Sequence, residues 1–428
     1  MSAPGDRRIV VLLHAGFVVA GMATTLLGPM MPLLMARWSL TDAAAGALFT
    51  AQFSGQTLST IGSTWLTSRL GDRPTLALGM AMTSAGIAVM ALVPWPYGAA
   101  AAFGYGLGLG LVLPLTNFIV AALRPARAAA SLSLLNVSWG VGAVLWPLVV
   151  RLSMAAVPSA AAPLAALTAL TAGLAAVLYA DRQAWPVRGG AKAAAAAEGE
   201  QAPVAAAAPA PGAAPAPRPA PTPAPAPGPA AGPATAAAPA RGPAVGWLVA
   251  GFAAASYLYV GAEASIGGWI AEFTRRTGPL LGTAWTLAPT AFWGAETLGR
   301  LAAPLVLRRT SEARLLTAGL LVAAAAVILL VTADQVGAAM AGAALAGAGL
   351  APIFPLILAA MNRQVAPVAP QLMGPLFAMG GLGGATLPWV VGLTSTRTGS
   401  LHAGLVVPLV ALAGIMALHA AASRRPRA

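Results

Sequence analysis

Apolar residues run along this chain in long blocks, separated by short stretches where arginine, proline, glycine and polar residues gather. A bilayer core about 30 Å thick is crossed by roughly 20 apolar residues of helix. About twelve such runs can be laid out, over 8–36, 43–68, 74–93, 96–122, 128–152, 158–180, 245–273, 283–307, 313–333, 336–361, 370–396 and 402–422. The first run is too long for a secretory signal and leads straight into further spans. The pattern predicts an all-α membrane protein, with twelve transmembrane helices in two six-helix lobes.

Residues 186–244 interrupt the pattern. Stretches such as Ala208-Pro209-Ala210-Pro211 and Pro223-Ala224-Pro225-Ala226-Pro227 contain only Ala and Pro. Proline lacks an amide donor and disfavours helix at the residue before it. The segment is therefore expected to be a disordered tether with polyproline II character. It divides the chain into an N-terminal lobe (1–185), a linker (186–244) and a C-terminal lobe (245–428).

The loops carry the charge. Arg7, Arg8, Arg69, Arg73, Arg124, Arg127, the linker, Arg308, Arg309, Arg314, Arg363, Arg424, Arg425 and Arg427 all fall on one side of a twelve-span layout. Arg37, Arg151, Arg275, Arg276 and Arg397 fall on the other. Cytoplasmic loops are the ones enriched in Lys and Arg, so both termini and the linker are expected in the cytoplasm, with the protein in the inner (cytoplasmic) cell membrane.

Composition narrows the function. The chain has 428 residues, 58% of them apolar and 8% charged, against about 25% charged in an ordinary soluble domain. Mean hydropathy is +0.78. Soluble enzymes, secreted scaffolds and nucleic-acid binders are thereby excluded. The net charge of +13 is spread between apolar runs, with no basic stripe to hold a nucleic acid. There is no cysteine, so disulfides, thiolate metal sites and cysteine nucleophiles are absent. Lys192 is the lone lysine.

The two sets of six spans share local patterns. Gly108-Leu109 precedes Pro114-Leu115 in the fourth span, and Gly349-Leu350 precedes Pro355-Leu356 in the tenth at the same spacing. Gly142-Ala143-Val144-Leu145 in the fifth span matches Gly384-Ala385-Thr386-Leu387 in the eleventh. Repeated halves around a midplane site are a common plan for secondary transporters. Glycines four apart, such as Gly104 and Gly108, Gly106 and Gly110, and Gly380 and Gly384, let helices approach closely. Pro114, Pro352 and Pro355 permit bends where a cavity lies.

The loop Ser68-Arg69-Leu70-Gly71-Asp72-Arg73 resembles the signature between the second and third helices of the major facilitator superfamily. Ser68 replaces the first glycine, and Thr75-Leu76 replaces the later glycine and basic residue. The resemblance implies a gating role for Asp72 and Arg73. Gly299-Arg300 followed by Arg308-Arg309 looks like its counterpart in the second half. The seventh span, Tyr259 to Trp269, is similar to that of fucose-permease-like sugar carriers, as is Asn136 with Trp139-Gly140 and Gly142. This implies a two-lobed carrier working by alternating access, with the first, fourth, seventh and tenth helices around the cavity. The acids that fucose-permease-type symporters carry in their first and fourth helices are missing here, so that proton pathway does not transfer.

Ionisable residues inside a bilayer are costly and need a reason. Glu263 and Glu296 are the two acids deep in predicted spans. Glu263 has no basic residue three or four positions away. It is a candidate for substrate binding and proton coupling, or for a structural bond to another helix. At helical spacing its face includes Ser256 and Tyr259, either of which could hold the carboxyl or a substrate. Glu296 has Arg300 four residues later, the favourable order for an ion pair, and the two are expected to form a structural or gating pair. Gln52, Gln56, Asn117 and Asn136 are candidate substrate-binding amides, each equally suited to bonding a neighbouring helix. Thr24 and Thr25 are candidate cavity residues. Trp139, Trp146, Trp285, Trp293 and Trp389 offer aromatic faces for a sugar or for the membrane interface. His14, His402 and His419 are scattered near span ends.

No His/Asp/Glu cluster, acidic pair at metal-ligand spacing or nucleotide loop is present, so no catalytic residue, metal or cofactor is expected. A membrane-embedded enzyme and a carrier-derived sensor are the minor alternatives. The leading reading is a monomeric secondary transporter of a small polar solute. A sugar taken up by proton symport is first, and proton-driven efflux of amphipathic drugs second.

Overall fold

The computed structural model describes residues 4–124, 127–181, 185, 243–279, 282–365 and 369–423. The expected linker, apart from its last residues, and the arginines at 424, 425 and 427 lie outside the described residues.

The end of the bundle where the chain begins is here the near face, and the opposite end the far face. The first crossing is made by α1 (Pro4–Thr24) and α2 (Leu27–Trp38). The next five are α3 (Asp42–Leu70), α4 (Asp72–Leu92), α5 (Tyr97–Leu123), α6 (Ala128–Ala156) and α7 (Ala161–Ala180). The second half opens with α8 (Pro243–Thr277), α9 (Leu287–Val306) and α10 (Glu312–Val331). Its tenth crossing is split into α11 (Val336–Leu350) and α12 (Ile353–Gln364). The chain ends with α13 (Ala369–Thr398), α14 (Leu401–Gly404) and α15 (Val406–Ser423). Together these make the twelve crossings the apolar runs predict, and no strand occurs among the described residues.

Ten of the twelve are long and apolar enough on their own to cross a membrane; α3 and α9 fall short. The halves meet where α3 packs on α13, α9 on α6 and α2 on α8, and polar groups at such a seam can find their partners in protein.

The packing repeats between the halves. α1 packs on α6 as α8 packs on α13, α4 on α5 as α10 on α11, and α4 on α7 as α10 on α15. Close glycine approaches mark the correspondence. A Cβ on Gly108 would meet the Gly79 carbonyl at 2.4 Å, and one on Gly349 the Gly319 carbonyl at 2.9 Å. Gly108 and Gly349 are therefore equivalent, as their sequence contexts predict. The fifth and eleventh spans are offset by one residue from the expected match. Gly142 sits against Val18 of the first span, whereas Gly383, not Gly384, sits against Tyr257 of the seventh. Gly384 instead faces Phe53 across the seam.

Proline consequences vary. At Pro352 the tenth crossing breaks between α11 and α12. At Pro114 the helix continues. Proline has no N–H for the carbonyl four residues back, and the Thr60 hydroxyl takes that Gly110 carbonyl at 3.2 Å. The break after Thr24 is patched in the same way. Gln52 Nε2 donates to the Thr24 carbonyl at 2.9 Å, and Trp146 Nε1 to the Leu26 carbonyl at 3.1 Å.

The loop before α4 needs glycine. Gly71 has φ +85° and ψ 169°, a region essentially reserved for residues without a Cβ. Asp72 then opens α4, where a carboxylate complements the positive end of the helix. Arg73 is half-buried beside it. Of the expected counterpart in the second half, Arg300 lies inside α9, six residues before its last residue Val306, and Arg308 and Arg309 fall in the loop that leads to Ser311, the cap of α10.

Candidate functional site

The face of α8 that carries Tyr259, Glu263 and Gly267 meets the face of α9 that carries Arg300, Glu296 and Trp293. Spacings of three and four residues place each triplet on one side of its helix. The helices run antiparallel, so Arg300 reaches Tyr259 and Glu263 while Trp293 rests against Gly267.

Arg300 Nη2 donates to Glu263 Oε1 at 2.8 Å, contacts the Tyr259 hydroxyl at 3.3 Å, and makes a short ion pair with Glu296 Oε1. The Tyr259 hydroxyl donates to Glu263 Oε1 at 2.7 Å. One guanidinium nitrogen therefore serves two carboxylates. The Glu296 side chain is 1% exposed and that of Glu263 is 15%. Two acids against one cation give the cluster a formal charge of −1, and a single proton makes it neutral. In an interior of low dielectric such a charge is expensive unless bonded or neutralised.

Aromatic rings enclose the cluster. Tyr259 stacks on Phe354 of α12 with centroids 5.2 Å apart. The Arg300 guanidinium lies 5.9 Å from the centre of the Trp139 ring, on α6 of the other half. Trp139 meets Trp293 edge-on at 5.4 Å, and Phe292 meets Trp293 at 4.8 Å.

The expected residues thus divide. Glu263, Tyr259, Glu296 and Arg300 come together. Glu263, which has no cation near it in sequence, takes one from the neighbouring helix, so the expected gating pair and the expected coupling acid form one group. Ser256 does not join it; its hydroxyl donates to the Leu376 carbonyl at 2.9 Å. Gln52 is fully buried, accepting from the Tyr105 hydroxyl at 2.7 Å while it patches the first crossing, so both ends of its amide are engaged within the protein. Asn117 and Asn136 donate to backbone carbonyls of their own helices, at Leu113 and Leu132. Gln56 is half-buried, with a buried Oε1 that lacks a hydrogen-bond partner. None of these four amides hydrogen-bonds to the acidic cluster. Thr24 and Thr25 also bond back to their own helix, at Ala20 and Gly21. Trp146 is spent on the Leu26 carbonyl.

A second charged group, unforeseen in the sequence, seals the far face. Arg276 of α8 donates to Asp42 of α3 at 2.9 and 2.5 Å, and Ser395 of α13 donates to the same carboxylate at 2.5 Å. Arg275 and Arg276 both bind Glu272, whose side chain is fully buried. Around this latch the halves approach without room for a Cβ at Gly28 against Gly267, at Gly46 against Trp389 and at Gly392 against Asp42. The Glu272, Arg275, Arg276 spacing was a legible signal for the local pairs. The crossing to Asp42 spans 234 positions and had none.

A helical bundle of twelve crossings, built from two matching halves with a charged cluster at their seam, has the architecture of a multi-pass membrane transporter. The chain belongs to the Major Facilitator Superfamily, whose pattern it matches over residues 13–367. It is accordingly a transport protein and not an enzyme. No curated protein matches it in sequence. Among solved structures it is similar to a bacterial homologue of the human lysosomal transporter Spinster in an inward-facing conformation, at 13% identity and TM-score 0.71, covering 99% of this chain and 98% of that one. It is also similar to the D-xylose–proton symporter, at 14% identity and TM-score 0.69, covering 96% and 95%. The fucose:proton symporter of E. coli resembles it at 14% identity and TM-score 0.58, covering 98% and 100%.

Proposed function

We propose that this protein is a proton-coupled secondary carrier of a small polar solute, a sugar being the first candidate, and that it works by alternating access. Both termini are assigned to the cytoplasm by the arginine bias of the near-face loops, and the carrier acts as a monomer in the cytoplasmic membrane. The observation that carries the proton reading is Arg300 Nη2 shared between Glu263 and Glu296. The site holds one acid more than its cation balances, and the more exposed Glu263 is the acid that exchanges its proton. Tyr259 positions that carboxylate, Trp139 and Phe354 present ring faces to the solute, and Asp72 and Arg73 gate the near face. Gln56, Asn117 and Asn136 remain second-rank candidates for solute contact.

Proteoliposome uptake under an imposed pH gradient tests this. Glu263→Gln is expected to abolish uphill accumulation while leaving solute exchange across the membrane in place. Unchanged accumulation in the mutant removes Glu263 from the coupling role. A second reading is efflux of amphipathic organic cations, favoured by the formal −1 charge framed by Tyr259, Phe354, Trp139 and Trp293. Binding of hydroxyl-free cations in preference to sugars selects it.

A further inference from the structure

We propose that Trp293 and Glu296 form a donor–acceptor notch for one hydroxyl group of the transported solute, with Trp293 acting through its indole N–H and not through its ring face. The inference rests on the reading of the chain as a carrier of a small polar solute, and assigns one part of that solute's recognition.

Trp293 and Glu296 lie three residues apart on one face of α9, and Arg300 follows four residues later. Trp293 is 6% exposed and Glu296 is 1% exposed. Each keeps one buried polar atom without a hydrogen-bond partner: Nε1 of Trp293 and Oε2 of Glu296. Buried donors and acceptors are almost always paired, and an unmade bond destabilises the fold. An orphaned donor and an orphaned acceptor within one helical turn, beside the ion-pair cluster, point to a ligand atom that completes both.

The chemistry of that ligand follows from the pair. A hydroxyl both donates and accepts at one oxygen, so it can take the indole N–H and give its own proton to Glu296 Oε2. An organic cation satisfies the carboxylate and leaves the indole N–H unpaired. An organic anion satisfies the indole and is repelled by two carboxylates. The protein keeps the ring in place for this use. Phe292 and Trp139 hold it edge-on at 4.8 and 5.4 Å. Gly267 makes room for it, since a Cβ there would meet Trp293 Cζ2 at 2.7 Å.

The test uses the full-length protein in detergent and measures binding of D-glucose, D-xylose, L-fucose, uridine and the monodeoxy forms of those that bind, with tetraphenylphosphonium as a hydroxyl-free cation. Wild type is expected to lose affinity on removal of one particular hydroxyl. Trp293→Phe, which keeps a ring and removes the N–H, is expected to bind the parent solute about tenfold more weakly, the scale of one hydrogen bond, and to cease distinguishing that deoxy form. Trp293→His, which retains a ring N–H, is expected to restore part of the discrimination. If Trp293→Phe discriminates as wild type does, the notch holds only water and the inference falls while the carrier reading stands. If wild type itself treats every deoxy form alike, the inference falls without reference to any variant. If tetraphenylphosphonium alone binds, both the inference and the small-polar-solute reading fall.

Discussion

The Asp42 latch is expected to hold the far face shut, and the cost of removing it follows from the geometry. Asp42 accepts two bonds from Arg276 and one from Ser395, at 2.5 to 2.9 Å. Hydrogen bonds to charged groups contribute about 1.5–3 kcal/mol each when shielded. The Arg276 side chain is 35% exposed, and solvent reduces such pairs toward about 1 kcal/mol or less. Asp42→Asn removes the charge and one acceptor, and leaves Arg276 paired with Glu272. A net loss of about 1–2 kcal/mol is expected, which shifts the balance between closed and open far face by about 5–30-fold. The chain lacks cysteine, so a single Thr50→Cys reports cleanly. Thr50 sits on the seam with its hydroxyl on the Ala385 carbonyl of the other half. Labelling by a membrane-impermeant maleimide from the far side is expected to quicken in the Asp42→Asn background. An unchanged rate shows that the apolar and glycine contacts alone hold this face shut, and refutes the latch.

Further outcomes are expected at the site and in its support. Glu263→Gln abolishes proton-driven accumulation with exchange retained, read in proteoliposomes. Gln52→Ala strands the fully buried Tyr105 hydroxyl and the Thr24 carbonyl, at a cost of about 2–5 kcal/mol from two unmade bonds. Its melting temperature falls with solute affinity unchanged, whereas lost affinity at an unaltered melting temperature contradicts the structural role. Gly267→Ala pushes against Trp293 and weakens solute binding. Gly246→Ala, on the same helix with open space around it, leaves binding as it is. Equal affinities for these two variants oppose a positioned indole.

Legibility differed with the range of the interaction. The twelve crossings follow from run length, because a bilayer sets a fixed helix length and tolerates few charges. The pairing of Glu296 with Arg300 was also readable, being set by four positions on one helix. Gln52 shows the opposite case. Its polarity marked it as a candidate for ligand binding, but the broken backbone at the end of α1, 28 positions away, claims its amide. Glu263 looked unpaired for the same reason in reverse, since its cation stands 37 positions along the chain. The offset of Gly383 against the expected Gly384 reflects composition. In a chain with 48 glycines, a local match does not fix which one faces the neighbouring helix.

By itself the sequence determined the class of solvent, the number of crossings, the twofold repeat of the halves and the likeness to a carrier superfamily. Each of these depends on local hydrophobicity and on patterns within one span. Only the tertiary structure decided which polar groups are already satisfied, which carboxylates share a guanidinium, and which buried atoms still lack a partner. Those are properties of contacts between helices far apart in the chain, and hydrogen bonding at such contacts depends on distances of a few tenths of an ångström that residue order does not encode.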